Sequence, residues 1–589
     1  MKIVKIFNIE KVIILFILFL FYLPIKARSQ PANIPCYKQS YYINSSIFNG
    51  DKRGSKQVLP VFRDIVQIQN ASWLRLIFGE CRLGQGSYIK ITALEDGSQQ
   101  HLNTNSLKQW KNSSAFFNGN AVQVELFLSE NDQGVYFEMN DVIFGESGDI
   151  TNMLSKTTGD PCTECGICGS IDDRIESNDF AVGRTIRINA SGDTLGNCTA
   201  WIASNGAYLS AGHCFPNLNS YVWLIQFNVP QSDDDGTFNH PPPEDQYVVA
   251  ETTDSLEIRN NGVGRDWAVF YCYTNSETGL LPVEAQNAYY RLTIDSNPAT
   301  FRITGFGLDE CLPGSTGGRN SNSLTQQTST GPKNGEYGSG TSVYWRFSVD
   351  IRIGNSGSPI IPLDTGLSVG IQTHCPSLNY CPNYGTSFES DDLADTVNTF
   401  PGHNIRYADS GHPISSEDGT IFRPFDTVTE AVNSVPSGGI VSIVNGSYNE
   451  SITINKAMKI FAPVGTVTIG PSLPKIAEND GEPFPDYEYD LSDNQTPDKY
   501  NLSQNYPNPF NPQTTIQYCL PEASFVTLKV YNMLGQEIRT LINEHQPEGF
   551  KSVVWDGKNN QGEFLPSGTY IYLFEAGDYV KFYKGMLIK

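Results

Sequence analysis

Basic residues are scarce in this 589-residue chain: 40 Lys and Arg stand against 63 Asp and Glu, for a formal net charge of −23. A phosphate-binding surface needs clustered Lys and Arg, so nucleic acid is excluded as a partner class. An acidic surface keeps a protein soluble and names no partner. Long apolar runs are scarce as well. Past residue 23 no stretch is apolar enough to span a bilayer, which takes about 20 such residues. Sustained helical periodicity is weak, and Gly 52 and Pro 34 beside abundant Tyr, Phe, Val and Ile favour short strands and turns. The paired carboxylates on a long groove that polysaccharide hydrolysis would need are absent too. What remains is a mainly β, multidomain chain, too long for one core and expected to hold about three to five domains.

The one apolar run, Val12–Leu23, sits behind Lys2, Lys5 and Lys11 and ahead of Ala27-Arg28-Ser29. Positive residues, a short apolar stretch and small residues at minus three and minus one describe a secretory signal over residues 1–29. Export makes disulfides the expectation for the 12 cysteines. Cys198 and Cys214 are the first pair expected. Cys375 with Cys381 could close a small loop, and Cys36 with Cys81 could staple the first domain. Cys162-x-x-Cys165-x-x-Cys168 lacks a fourth ligand for zinc, so a disulfide plus a third bond elsewhere, to Cys272 or Cys311, is expected instead. Asp233-Asp234-Asp235-Gly236 departs from calcium-loop spacing and reads as a solvated acidic loop. No metal or cofactor is expected.

Alternation bounded by turns divides the chain. Residues 30–150 read as a β-sandwich, with Trp73–Leu76, Ser87–Ile91, Val122–Leu128 and Val135–Phe137 as strands and His101 as a surface histidine. Residues 171–405 carry short strands at Thr185–Ile188, Ala200–Ile202, Val222–Phe227, Trp267–Tyr271 and Val369–Gln372, a spacing that suits paired antiparallel barrels. Residues 411–472 open on a helical stretch, Phe425–Val435, followed by evenly spaced short strands; this reads as one or two turns of a parallel β-helix. The segment Gly446–Glu450 then Ile452-Thr453-Ile454 resembles the opening rung of pectin-lyase-like β-helices. Residues 473–500 form an acidic, Pro-rich linker. Residues 501–589 are β-rich again, with Phe525–Tyr531, Val553–Trp555 and Thr569–Phe574 as strands.

Three separated segments carry chemistry. His213 lies beside the half-cystine Cys214, Asp266 heads an apolar strand, and Ser356 sits in Gly354-Asn355-Ser356-Gly357-Ser358-Pro359. Serine is a poor nucleophile at neutral pH, so an imidazole must take its proton and a carboxylate must fix that imidazole's tautomer. His213 would be the base, Asp266 the orienting carboxylate and Ser356 the nucleophile. The tight turn would point the N–H groups of Gly354 and Ser356 at a developing oxyanion. The histidines at 101, 240, 374, 403, 412 and 545 lack such context.

In these motifs the region resembles the chymotrypsin-fold serine endopeptidases, and Gly-Asn-Ser-Gly-Ser-Pro resembles the bacterial glutamyl endopeptidase branch. The resemblance implies two six-stranded barrels with the triad between them, acting on protein or peptide substrates. Two positions depart from it. Ser210-Ala211-Gly212 stands where many relatives have Thr-Ala-Ala, and Asn355 replaces the Asp that receives a new N-terminal amine in trypsin-like zymogens. With no Ile-Val-Gly-Gly start either, activation is expected to follow another route. Asp350, six residues before Ser356, falls at the trypsin register for a pocket floor and implies Arg or Lys preference; pairing with Arg346 or Arg352 is the competing role. Gln372 stands where the glutamyl enzymes place a histidine, and alternation would put His374 on the same face.

The tail carries a second resemblance. Asn505–Pro512, Val530–Gln536, Trp555-Asp556-Gly557 and Pro566–Tyr570 are similar to the C-terminal sorting domain of the type IX (Por) secretion system of Bacteroidetes. That implies an Ig-like sandwich, recognition by the secretion machinery, and delivery through periplasm and outer membrane to the cell surface or medium. The expectation is a secreted, monomeric serine endopeptidase working through an acyl-enzyme. Its rivals are a non-catalytic adhesive protein on a protease-like scaffold and a polysaccharide hydrolase using the β-helix.

Overall fold

The computed structural model describes residues 27–28, 32–50, 60–146, 167–169, 172–188, 192, 194–216, 222–234, 237–251, 255–309, 320–376, 381–400, 403–413, 416–470, 500–502, 513–532, 536–565, 568–577 and 579–587. Residues 1–26 and Ser29 of the expected signal, and nearly all of the linker, lie outside these. Among the described residues no helix is long and apolar enough to cross a membrane. The chain separates into two compact units, Met1–Leu473 and Pro474–Lys589.

The first unit opens with two four-stranded antiparallel sheets. One is ordered Tyr37–Asn44, Tyr136–Glu146, Ala71–Arg82, Phe117–Asn118; the other Phe62–Gln67, Ala121–Phe127, Tyr88–Ala93, Gln99–Leu102. Alternation sets the inner face: in Tyr88–Ala93 the residues Ile89, Ile91 and Ala93 are buried and their neighbours half-buried. The sandwich core continues into the next region. Trp73 packs edge-on to His240, Phe116 stacks on His240 at 4.1 Å, and the Gln246 amide bonds the Phe116 main chain in both directions. Burial holds His240 well below the ordinary histidine range, with Arg184 and Arg75 adding to the effect. His101, half-exposed, pairs with Glu277.

Two antiparallel barrels follow. The first runs Gln246–Val248, Trp223–Gln226, Val182–Ile188, Thr194–Ile202, Tyr208–Ser210, Asp266–Phe270, Leu256–Asn260, and a Val249–Cys272 bridge curls the first of these strands round to the chain just past Asp266–Phe270. The second is closed: Gly370–Pro376 pairs with both Pro359–Pro362 and Asn383–Ser387, and Thr300–Gly305, Gln327–Ser339 and Ser342–Phe347 complete the ring. The strands expected here overlap the observed ones. Helix Asp391–Thr399, which periodicity did not reveal, packs Leu393 and Val397 into a core shared with Trp201 and Trp267.

Parallel pairing then takes over. Ile405–Ala408, Ile440–Ile443 and Lys459–Phe461 stack in parallel, as do Gly446–Tyr448 and Val467–Ile469. The first rung therefore begins before residue 411. The helix expected at Phe425–Val435 runs Val428–Ser434, because Thr427 Oγ1 accepts the Glu430 N–H and caps it one turn later.

The second unit is a sandwich of a three-stranded sheet (Asn501–Leu502, Thr514–Leu520, Gly549–Trp555) and a four-stranded one (Glu537–Gln546, Ser524–Asn532, Gly568–Ala576, Tyr579–Leu587). Trp555, Tyr572, Phe574 and Val526 fill its core. The motif residues 503–512, 533–535 and 566–567 lie outside the described residues.

Three cysteine expectations are corrected. Cys381 bonds Cys168 across 213 residues, not Cys375, which is disulfide-bonded elsewhere. Cys36 and Cys81 do not meet: the Cys36 thiol donates to the Gly192 carbonyl, and Cys81 sits on Gly79 and Glu138 carbonyls. Of the two partners expected for the 162–168 cluster, Cys272 is instead a buried thiol whose pKa burial pushes well up, while Cys311, like Cys162 and Cys165, lies outside the described residues. Local spacing misleads here because sheet pairing, not loop length, brings half-cystines together. Peptide mapping without reduction should recover Cys168–Cys381 and Cys198–Cys214 as linked pairs, with no Cys375–Cys381 or Cys36–Cys81 species.

Candidate active site

His213 lies in the single turn Gly212–Cys214 that ends strand Tyr208–Ser210. Two constraints fix it. Cys214 is tied to Cys198 on the adjacent strand Thr194–Ile202. Gly212 presses on neighbouring main chain so closely that an added Cβ would lie 1.8 Å from the Arg259 carbonyl oxygen. Sulfur atoms and imidazole cluster here, but the thiols are spent in the disulfide, so the grouping is no metal site.

Asp266 begins strand Asp266–Phe270 and is fully buried. Its carboxylate accepts twice from one residue: Oδ1 from the His213 main-chain N–H at 2.8 Å, and Oδ2 at 2.6 Å from ring Nδ1. With Nδ1 the donor, Nε2 carries the free lone pair. Nε2 is buried and has no hydrogen-bond partner.

Ser356 is held by the opposite barrel. Gly354 and Gly357 take φ of +102° and +99°, which favour glycine, and Cβ atoms there would lie 2.5 Å from the Phe306 oxygen and 1.9 Å from the Thr199 oxygen. Thr199, next to the half-cystine Cys198, stitches the barrels together. Its N–H donates to the Ser356 carbonyl at 2.8 Å, and its hydroxyl donates to the Gly354 carbonyl at 3.0 Å. Cys214 Sγ lies 3.7 Å from the same Ser356 carbonyl oxygen. The Ser356 hydroxyl donates to the Thr373 carbonyl at 3.2 Å. The N–H groups of Gly354 and Ser356 have no acceptor among the described residues.

Asn355, where an Asp was expected by resemblance, closes the turn by itself: its Oδ1 accepts the Arg352 N–H at 3.0 Å. Behind it Gly307 is wedged between Asn355 Oδ1 and the Arg174 guanidinium. Arg174 is buried and paired with Asp172 and Asp309; burial alone would lower its pKa, but the two carboxylates raise it above the ordinary value. An internal cation thus backs the serine turn. Thr199, Thr373 and Arg174 were not singled out by sequence reasoning; only Thr199, beside Cys198, carried a usable signal.

The pocket candidates part company. Asp350 is buried and accepts main-chain N–H bonds from Cys168 at 2.6 Å and Asp173 at 2.9 Å. It pairs with neither Arg346, which lies over the Tyr337 and Tyr384 rings, nor Arg352, which approaches Asp172. Burial raises its pKa against the lowering effect of those two bonds. Gln372 is buried, with its Oε1 lacking a partner. His374 does not share a face with it. A bulge between the two breaks the alternation, and the His374 Nδ1 lies 3.6 Å from Asp266 Oδ2.

Residues 511–577 match the FlgD Ig-like domain. Among solved structures, the chain is similar to a thermostable serine protease, AL20, from an extremophilic microorganism, at 13% identity and TM-score 0.27, covering 37% of this chain and 97% of that one. It is also similar to the scabies mite inactivated protease paralogue S-I1, at 16% identity and TM-score 0.26, covering 36% of this chain and 94% of that one. No curated protein matches the chain.

Burial pushes the His374 imidazole down to about 4, only partly opposed by Asp266. A buried histidine whose folded pKa is lowered from 6.5 leaves stability unchanged above pH 6.5 and lowers it as pH falls towards 4, because only the unfolded chain takes up the proton. In denaturant titrations wild type should therefore lose about 3 kcal/mol relative to His374→Gln on going from pH 7 to pH 4.

Proposed function

We propose that this chain is a serine endopeptidase that cleaves peptide bonds through an acyl-enzyme. The observation that supports it best is the division of labour at His213: Asp266 takes Nδ1, and Nε2 stays buried and unpaired. For the reaction the Ser356 hydroxyl has to leave the Thr373 carbonyl and donate to that nitrogen instead. His213 then takes the proton as the oxygen attacks a carbonyl carbon, Asp266 stabilises the imidazolium, and the Gly354 and Ser356 N–H groups receive the oxyanion. The protonated His213 returns its proton to the leaving amine, and water repeats the sequence on the ester. Each oxyanion donor would contribute about 3 kcal/mol to the transition state.

The site reading extends to delivery. The signal-like start would take the chain across the inner membrane, and the Ig-like tail, read as a type IX sorting domain, across the outer one, leaving a monomer released or at the cell surface.

A fluorophosphonate should label the protein at Ser356 and fail on Ser356→Ala, while Asp266→Asn should lower kcat roughly 1,000- to 10,000-fold by releasing the wrong tautomer. Full-length protein that neither labels nor cleaves under any condition would leave the non-catalytic scaffold as the reading.

For specificity we propose Arg or Lys before the cut, with Asp350 as the attracting carboxylate. Cut positions in a mixed peptide library, read by mass spectrometry, should follow Arg and Lys, and Asp350→Asn should lower kcat/KM for those bonds at least about tenfold. Cuts after Glu would overturn the assignment of Asp350 and leave the enzyme class intact.

A further inference from the structure

The two faces of the parallel sheet Ile405–Ala408, Ile440–Ile443, Lys459–Phe461 are covered differently. On one, Ala408, Val441 and Ile443 join Val428 and Val432 in a core of their own. The other carries two in-register rows, Ile405–Ile440–Lys459 and Tyr407–Ser442–Phe461, since side chains two apart share a face. Ile405 and Tyr407 are buried with Phe400 in the core shared with the barrels, and Ile440 packs against it. Lys459, Ile460 and Phe461 reach past that support and are exposed. The overhang leaves a cavity of about 470 Å³, lined on its other side by Phe400 and Asn205.

Its walls are held in place by contacts outside it. The Asn205 side chain donates to the Val397 carbonyl at 3.0 Å, the Tyr407 hydroxyl donates to the Asn398 carbonyl at 3.0 Å, and the Phe400 ring stacks on Tyr271 at 4.8 Å. Two polar groups of the lining remain unspent. Ser442 is 2 % exposed, and its hydroxyl has no hydrogen-bond partner among the described residues, a cost that a ligand's acceptor would remove. Lys459 lies one strand over and two residues back on the same face, about 8 Å away along the sheet. Its ammonium stands at the exposed end of the cavity with no ion pair among the described residues.

We propose that this cavity binds a small apolar carboxylate, a medium-chain fatty acid anion, with its hydrocarbon against Phe400, Ile405 and Ile440 and its carboxylate accepting from Ser442 and Lys459. The volume falls within the roughly 300–1,000 Å³ of small-molecule pockets, and apolar walls with a few convergent polar groups are their usual composition. A cation at the opening selects an anion over an amine, which would meet like charge, and over an alcohol, which brings no charge to pair. None of these residues belongs to the serine site, so the binding does not rest on the endopeptidase reading.

The test titrates decanoate calorimetrically into the full-length protein, below its micellar concentration, with decanol as the uncharged probe. One saturable site is expected for decanoate, with decanol binding at least about tenfold more weakly. Lys459→Gln, at an exposed position, should weaken decanoate at least about fivefold, and Ser442→Ala at least about threefold. Phe461→Glu, which sets a carboxylate at the opening, should weaken it at least about tenfold. All three variants are compared at wild-type circular dichroism. Absence of a saturable site, equal affinity for decanol, or decanoate binding unmoved by the Lys459 and Phe461 substitutions would overturn the proposal. So would self-association in sedimentation velocity that Phe461→Glu abolishes, because the face would then be a contact between copies. Fluorophosphonate labelling of Ser356 in the same preparations reads the serine separately, so failure of either reading is seen without the other.

Discussion

A carboxylate with no access to water organises the centre of this protein. Asp266 is fully buried, and both of its oxygens are engaged by one residue, through the main-chain N–H and ring of His213. Leaving such a charge without partners would cost several kcal/mol. The fold around His213 is consequently rigid: the turn is welded to the next strand by Cys198–Cys214, and Gly212 leaves no space for any other residue. The same rigidity that satisfies the carboxylate fixes the ring's tautomer. Structure and chemistry are served by one contact.

The second half of the site depends on close approach of main chains. At Gly354 and Gly357 the turn meets the Phe306 and Thr199 carbonyls at distances only glycine tolerates, and Thr199 spends both its N–H and its hydroxyl on this turn. Asn355 completes the turn with its own amide, and Arg174 stands behind with Asp172 and Asp309. A turn supported by residues fixed in the sequence needs no newly created amine to form. That fits a chain with Asn at position 355 and no trypsin-like start.

Much of this was readable from sequence wherever the governing interaction is local. Alternation marks the strands of both barrels because each buries one face. Cys198 pairs with Cys214 because adjoining strands bring them together within 16 residues. Long-range pairing left no such mark. The Cys168–Cys381 bond depends on how the second barrel closes, and the segment's shorter spacing of Cys375 and Cys381 pointed the wrong way. The period-two rule failed at His374 for a similar reason. One extra residue between Gln372 and His374 turns the imidazole to Asp266, and a bulge has no signature in a run of buried residues. Helix Asp391–Thr399, with only Leu393 and Val397 buried, shows too narrow an apolar stripe to stand out.

Closed barrels abolish sheet edges, yet a cleft that binds extended chain must keep some open. Here the openings are two half-strands. Thr194–Ile202 pairs with Tyr208–Ser210 only from Ala200 onward, and Gly370–Pro376 pairs with Pro359–Pro362 only at Gly370 and Ile371. Both halves adjoin the Ser356 turn, which takes up main-chain groups of Thr199, Gln372 and Thr373. Such edges would pair indiscriminately in a crowded export path. Ala32–Pro35 pairs with the first of these stretches and Ala27–Arg28, inside the expected signal of residues 1–29, with the far end of the second, so main-chain pairing satisfies both where the barrels themselves leave them open.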